Sequence, residues 1–144
     1  MKKLFFLLLI VGSSALMTGC ASGPKYSEMK ASFPAVPQDN GRIFFYRTAV
    51  LGAAVQPAVT VNGKEIGTAQ PEGFFYVDRP AGNYTVETST EVERRLSLTL
   101  ETNQTRYVRL NISMGFFIGH VYPELVDNMA GENEISDCHY TGSK

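Results

Sequence analysis

Side chains that could do chemistry are few in this sequence. The two histidines are His120 and His139, and a cysteine precedes the second one in Asp137-Cys138-His139. Hydrolysis would need a nucleophile beside a base, and a structural zinc ion would need about four ligands. The chain contains no Gly-x-Ser-x-Gly elbow, phosphate-binding loop or Cys-x-x-Cys pair. We therefore expect neither catalysis nor a cofactor; a hydrolase or metal protein built on His120 and Cys138-His139 is the less favoured alternative.

The second cysteine, Cys20, follows a three-part N-terminal segment. A positive doublet, Lys2-Lys3, precedes an unbroken apolar run from Leu4 to Val11, and small or polar residues lead to Cys20. This layout is typical of a secretory signal, because a membrane span would need roughly 20 apolar residues. The residues Leu16-Met17-Thr18-Gly19-Cys20 resemble the bacterial lipobox, although Met17 stands where Leu is usual.

The lipobox resemblance implies that residues 1–19 are a signal peptide and that the mature chain begins with a lipidated Cys20. The alternative is ordinary cleavage after Ala21, which would discard Cys20. Because each buried CH₂ contributes about 0.8 kcal/mol, two or three acyl chains such as palmitate would hold the protein on a membrane. Ala21 and Ser22 after the cysteine resemble an outer-membrane address, so we expect a lipid anchor on the outer membrane, facing the periplasm.

Charge and cysteine content exclude other classes of protein. Without residues 1–19 the chain keeps 11 basic and 14 acidic residues, a formal charge of −3. A nucleic-acid-binding domain would carry clustered Lys and Arg, so we expect no nucleic-acid partner. If Cys20 is lipidated, Cys138 has no partner within the chain, and we expect it to be buried rather than paired between chains.

The composition divides the mature chain into a tether and a domain. Residues 20–40 hold three prolines and show little periodicity, which predicts a flexible tether with an r.m.s. span of about 25 Å. Residues 41–144 have the length of a single small domain.

Alternation of apolar and polar residues predicts strands throughout that domain. Leu96, Leu98 and Leu100 alternate with polar residues, and the alternation resumes after residues 102–104, so we expect these two runs to form an antiparallel hairpin. Asn62-Gly63 predicts a second hairpin with a type I′ turn. The pattern favours an antiparallel β-sandwich of roughly seven to eight short strands.

Three further segments have distinct patterns. Residues 42–47 and 74–77 are apolar or aromatic on both faces, which predicts strands covered on both sides. Residues 116–126 read as a strand broken at Pro123. Asp127 is a candidate cap for a short helix with Ile135, which Gly131 would weaken by up to about 1 kcal/mol.

Three stretches in sequence order suggest a family: PAVTVNGKEIGTA, GFFYVDRPAGNYTVET and RRLSLTLETNQTRYVRLNI. Their turns and strands are similar to the PEGA-type module, a small β-sandwich of bacterial surface proteins. With the lipobox and the strand GRIFFYR, the chain resembles a family of small envelope lipoproteins of unknown function. The resemblance implies a fold and no catalytic residue, and it places Gly63, Gly67 and Gly82 where that module turns sharply.

These observations lead to one functional expectation and one alternative. We expect a non-enzymatic, lipid-anchored binding or scaffolding module for another envelope protein or glycan. The alternative is a carbohydrate- or peptidoglycan-binding module that uses exposed rings of Tyr76, Tyr107 or Tyr122. Residues 49–55 form an apolar loop that is either a lid on the core or an exposed contact patch, and residues 116–118 with Tyr122 are either core or groove.

Overall fold

The alternating segments of the sequence form strands of two sheets. In this computed structural model, residues 19–115 and 119–144 are described, the side chains of Val92 and Glu93 excepted. The strands are β1 (Asn40–Arg47), β2 (Ala58–Val61), β3 (Lys64–Thr68), β4 (Gly73–Pro80), β5 (Gly82–Thr88), β6 (Glu91–Leu100), β7 (Thr105–Met114), β8 (Gly119–Val126) and β9 (His139–Tyr140). The helices are α1 (Tyr26–Met29), which continues as a 3-10 turn (Lys30–Ser32), and α2 (Asn128–Ile135).

The two sheets pack face to face as a β-sandwich. The five-stranded sheet has the order β8-β7-β1-β4-β9, and the four-stranded sheet has the order β3-β2-β5-β6. Most neighbours are antiparallel, but β1 pairs with β7 and β4 pairs with β9 in parallel. The predicted all-β sandwich with a short C-terminal helix is confirmed, with nine strands in the described part of the chain.

A first hydrophobic core lies between the sheets, where the apolar positions of the alternating strands meet. Leu98 and Leu100 of β6 face Val108 and Leu110 of β7 across this core, and all four side chains are buried. Each of these two strands contributes one set of alternate residues to this core, because successive side chains point to opposite faces.

The β2–β3 hairpin follows from its turn residues. Asn62 and Gly63 have φ values of 49° and 78°, the positive values that a type I′ turn requires. Gly67, in β3, lies so close to the Phe75 ring that a Cβ atom there would be 2.7 Å from it. Gly82 differs, since it has neither a positive φ nor a close neighbour.

The predicted hairpin of β6 and β7 is wrong. β6 pairs with β5 in the four-stranded sheet, whereas β7 lies between β1 and β8 in the five-stranded sheet. Residues 101–104 therefore cross from one sheet to the other. Alternation shows which face of a strand is buried but not which strand is its neighbour, and a crossing buries the same leucines as a hairpin would.

A second hydrophobic core covers the outer face of the five-stranded sheet. In β1, Ile43 and Phe45 point into the first core, while Phe44 and Tyr46 point outward into the second. This confirms that β1 and β4 are covered on both sides. The buried members of the second core are Tyr26, Phe44, Tyr46, Phe74, Tyr107, Ile135 and Cys138.

The N-terminal segment forms part of this second core, so the prediction of a flexible tether over residues 20–40 is wrong for most of its length. The Tyr26 side chain is 4% exposed, and its ring packs edge-on against Phe44 and Phe74. The Tyr26 N–H donates to the Cys138 carbonyl at 2.9 Å. Burial of such a ring contributes roughly 1.5–3 kcal/mol, which offsets the ordering of a Pro-rich segment.

Helix α2 completes the cover of the second core. The carboxylate of Asp127 accepts a hydrogen bond from the Ala130 N–H at 3.0 Å, which confirms the predicted cap. Gly131 is buried against Tyr107, and a Cβ atom would collide with that side chain. The glycine that lowers helix propensity therefore permits the helix to approach the sheet closely.

The sequence predicted a strand broken at Pro123, and this prediction is wrong because strand β8 continues through that residue. It runs from Gly119 to Val126, with Pro123 opposite Leu110 of β7. Proline is tolerated because β8 is an edge strand with β7 on one side only. On the other side no described strand accepts a hydrogen bond, so the N–H that proline lacks is not needed there. Residues 116–118 lie outside the described residues.

No described helix has the length and apolar character needed to cross a membrane.

Candidate functional site

Cys20 lies on the surface, directly before a packed residue. It is exposed, whereas the next residue, Ala21, is only 7% exposed. The Ala21 N–H donates to the Pro71 carbonyl at 3.0 Å, and the Gln70 side chain donates to the Gly19 carbonyl at 3.2 Å. The backbone on both sides of Cys20 is thus held against residues 70–71, between β3 and β4.

As a free thiol, Cys20 would be a poor nucleophile. A hydrogen bond with the Glu72 carboxylate raises the pKa of the Cys20 thiol. The thiolate is the reactive and metal-binding form, so a raised pKa reduces its population at neutral pH. The environment thus disfavours a catalytic or metal-binding cysteine at this position.

The Arg47 guanidinium organises the loops beside Cys20. Arg47 has no exposed surface, and burial lowers its pKa. Its five N–H groups donate to five backbone carbonyls at 2.6–3.1 Å. The acceptors are the carbonyls of Ala49, Leu51, Gly52, Val55 and Ala69. One side chain therefore joins the 48–57 loop to the segment that holds Cys20.

Sequence reasoning missed Arg47 as an organising residue. The available signal was a charged residue at the end of β1, a strand that is otherwise apolar on both faces. A buried guanidinium requires acceptors for all its donors, and a neighbouring loop is the usual source of free carbonyls.

A polar network ties α2 to the outer face of the five-stranded sheet. Tyr46 donates to Glu134 at 2.6 Å, and Arg109 binds the same carboxylate at 2.8 and 3.0 Å. Arg109 also binds Glu124 of β8 at 2.8 Å. Burial and the bond to Glu134 raise the pKa of Tyr46, which keeps the phenol neutral. Arg109 is shared between the two carboxylates, and these bonds join α2, β7 and β8, so the network is a structural link between elements.

The structure does not bring His120 and the Cys138-His139 pair together. His120 lies on β8 and His139 on β9, at opposite edges of the five-stranded sheet. Four steps between adjacent strands place them about 19 Å apart. Nδ1 of His120 lies 3.0 Å from the Thr90 carbonyl oxygen, and Nδ1 of His139 lies 2.6 Å from that of Gly23.

Cys138 is buried, as predicted from its chemistry. Its side chain belongs to the second core, and its sulfur lies 3.8 Å from the Arg47 carbonyl oxygen. Burial raises the pKa of the Cys138 thiol to about 12. In the described part of the chain, no three His, Cys, Asp or Glu side chains are grouped as a metal site would require.

Comparison with known proteins places the sequence in a family. Residues 37–121, which span β1 to β7 and the start of β8, match the family "Protein of unknown function (DUF2846)". The chain belongs to this family. The prediction of a family of unknown function is confirmed. The DUF2846 match covers Arg47 and Arg109, while Cys20, Tyr26 and α2 lie outside it.

One relative and one solved structure are similar to this DUF2846 protein. An "Uncharacterized protein" of Haemophilus influenzae is 27% identical over 140 residues, covering 94% of this chain and 83% of that protein. The solved structure is the N-terminal domain of AlgF from P. aeruginosa, with 16% identity and a TM-score of 0.43. The likeness covers 62% of this chain and 99% of that domain, and at this level it carries no functional information.

The three tyrosines considered for sugar stacking all contact other side chains of the protein. Tyr107 is buried, and its hydroxyl lies 3.0 Å from that of Tyr26. Tyr76 is half-buried with the Arg42 guanidinium 4.4 Å from its ring centroid. Tyr122 carries the Arg94 guanidinium 4.7 Å from its ring centroid. The prediction of a wet Tyr107 ring is wrong, because the N-terminal segment and α2 cover that face.

Proposed function

We propose that this protein is a lipid-anchored, non-enzymatic β-sandwich of the bacterial envelope. Its role is to present a binding or scaffolding surface to another envelope protein or glycan. The proposed location is the outer membrane, on the periplasmic side. The observation that carries the proposal is Cys20, which ends a lipobox-like sequence and lies exposed directly before the packed Ala21.

The proposal includes two further points: the sandwich is a PEGA-like module, and the protein is a lipoprotein. The turn at Asn62-Gly63 and the close approach at Gly67 support a module of that kind. Burial of Ala21 directly after Cys20 supports cleavage before the cysteine, because removal of Ala21 would take away a packed residue.

The non-enzymatic character is supported by where the reactive groups lie. His120 and His139 each have a ring nitrogen within hydrogen-bond distance of a backbone carbonyl, at opposite edges of one sheet. A nucleophile and its base must lie within hydrogen-bond reach of one another. Cys138, with its raised pKa, is buried in the second core.

Lipid labelling of cysteine variants tests the anchor. Cells that express the full chain with labelled palmitate should incorporate label into the wild type and Cys138→Ala but not into Cys20→Ala. Because the chain has only two cysteines, Cys138→Ala is the matched control. A mature N-terminus whose mass shows an unmodified residue would reject the lipoprotein part of the proposal.

Assays against a panel of esterase, peptidase and glycosidase substrates test the non-enzymatic part. We expect no turnover above that of the His120→Ala variant. Turnover by the wild type that His120→Ala abolishes would overturn this part while leaving the lipid anchor unaffected.

A further inference from the structure

Cys20 lies at one particular end of the sandwich, here called the anchor end. The end of β1 at Arg47 pairs with the start of β4 at Gly73, and Gly73 pairs with His139 of β9. Because β7 is parallel to β1, its last residue, Met114, also lies toward this end. The anchor end comprises Gly19–Ala21, the loops 48–57 and 69–72, and Met114.

Three of the five large exposed apolar side chains among the described residues lie at the anchor end. Val50 is 49% exposed, Leu51 is 64% exposed and Met114 is 62% exposed. Of the other large apolar residues exposed in the described chain, Leu125 and Met129 lie toward the far end, near Asp127. Single exposed apolar residues are ordinary, but several at one end of a small domain indicate a contact surface.

The loop that carries Val50 and Leu51 is held rigidly beside Cys20. Arg47 donates both to the Leu51 carbonyl and to the Ala69 carbonyl, and Gln70 and Pro71, which follow Ala69, hold Gly19 and Ala21. On its other side the loop packs on β7, since Gly52 leaves no room for a Cβ atom beside Ile112. The hydrogen bonds from Arg47 thus fix the loop backbone, while the side chains of Val50 and Leu51 remain exposed to solvent.

The turns at the far end of the sandwich are polar, although Leu125 and Met129 also lie toward that end. Its turns carry Asp39, Asn62 and Asn103, each with a positive φ, and the exposed Thr102. These residues suit solvated turns and offer no apolar surface. The ten residues of β7 place this far end about 30 Å from the anchor end.

We propose that the anchor end is a membrane-docking surface that lies directly on the phospholipid bilayer, with Val50, Leu51 and Met114 in contact with the lipid. The inference rests on the membrane anchoring in the proposed function. The chain outside the described residues enters at Gly19, and it contains the apolar run from Leu4 to Val11. Acyl chains on Cys20 or a retained apolar run would both bring hydrocarbon to this end. With Ala21 packed, no tether separates the body from the membrane.

A tryptophan scan tests the docking. The natural chain has no tryptophan, so the full-length protein with Leu51→Trp reports on one position. The protein is reconstituted into vesicles of phosphatidylethanolamine and phosphatidylglycerol with or without brominated acyl chains. Thr102→Trp, on a turn at the far end, is the matched control, and Val50→Trp replaces Leu51→Trp if that variant does not fold.

We expect brominated lipid to reduce the emission of the residue-51 tryptophan by about half or more, as for side chains that enter the interface by about 5–10 Å. The Thr102→Trp emission should not change. Equal emission of Leu51→Trp with and without bromine would overturn the docking. A loss of emission that depends on the protein-to-lipid ratio and not on bromine would show that the patch contacts a second copy of the chain. That result would also overturn the membrane docking.

The mass of the mature N-terminus separates this inference from the lipoprotein proposal. A lipidated Cys20 with an unquenched residue-51 tryptophan would leave the anchor intact and overturn the docking. An unmodified Cys20 with a quenched tryptophan would reject lipidation and support the docking through the apolar run.

Discussion

At the residue scale, Arg47 shows how a buried cation can be stabilised without a carboxylate. Its planar guanidinium matches five carbonyl acceptors from two loops. Each unmet carbonyl in a buried site costs roughly 1–3 kcal/mol, so the side chain and the loops depend on one another.

Replacement of Arg47 by Met should therefore lower the free energy of unfolding by about 3 kcal/mol or more, because it leaves several carbonyls without donors. Arg47→Lys should have a smaller effect, since an ammonium group offers three donors. Urea unfolding monitored by circular dichroism measures both. Arg94→Met, at a side chain that is 55% exposed, is the control and should change stability little. An equally small effect of Arg47→Met would contradict a structural role.

The raised pKa of the buried Cys138 thiol predicts that the folded protein loses stability at alkaline pH. Its pKa of about 12 in the folded protein lies above the unfolded value of about 8.5. The folded state then retains a proton that the unfolded state has lost, so this thiol's contribution is complete below about pH 8.5 and declines as pH rises toward 12. Urea midpoints measured from pH 8 to 10 should fall less steeply for Cys138→Ala than for the wild type. Parallel pH profiles of the two proteins would show that the thiol does not titrate in this way.

At the element scale, the N-terminal segment is the least expected part of the structure. Residues 21–40 are rich in proline and lack periodicity, yet Tyr26 and Phe33 pack against three aromatic rings of the sheet. Lys25 pairs with Asp137 at 2.9 Å, but this exposed pair contributes little. The aromatic contacts therefore hold the segment in place.

Tyr26→Ala should lower the free energy of unfolding by about 3 kcal/mol or more, as expected for removal of a buried aromatic ring. A flexible tether would lose nothing. Ser27→Ala, at the exposed neighbouring position, is the matched control and should leave the urea midpoint nearly unchanged. Equal midpoints for Tyr26→Ala and Ser27→Ala would restore the tether interpretation.

At the scale of the whole molecule, the two hydrophobic cores lie back to back on one sheet. β1 supplies Ile43 and Phe45 to the first core and Phe44 and Tyr46 to the second, so neither core can open without disturbing the same strand. Small domains with such shared elements usually unfold in one step.

We therefore expect one cooperative transition, in which near-ultraviolet circular dichroism of the tyrosines coincides with the far-ultraviolet signal of the sheets. Ile66→Ala in the first core should lower the midpoint of that transition by the equivalent of about 2–5 kcal/mol, and Tyr26→Ala should move the same transition. An earlier loss of the tyrosine signal in Tyr26→Ala would instead show that the second core unfolds separately.

Local features of the sequence were sufficient to predict much of this fold. The alternation in β6 and β7, the turn at Asn62-Gly63 and the cap at Asp127 depend on neighbouring residues alone. The apolar faces of β1 and β4 predicted cover on both sides. Of the candidate site, the burial of Cys138 is confirmed, and lipid attachment at Cys20 stays a prediction.

Only the tertiary structure decided which surfaces meet. A crossing between sheets and a hairpin bury the same leucines of β6 and β7, so pairing could not follow from alternation. The docking of Tyr26 and the five acceptors of Arg47 depend on residues far away in the chain. Such contacts have no local sequence signature, because their free energy comes from surfaces that exist only once the sheets have formed. For the same reason, only the fold brings Val50, Leu51 and Met114 to the end where Cys20 lies.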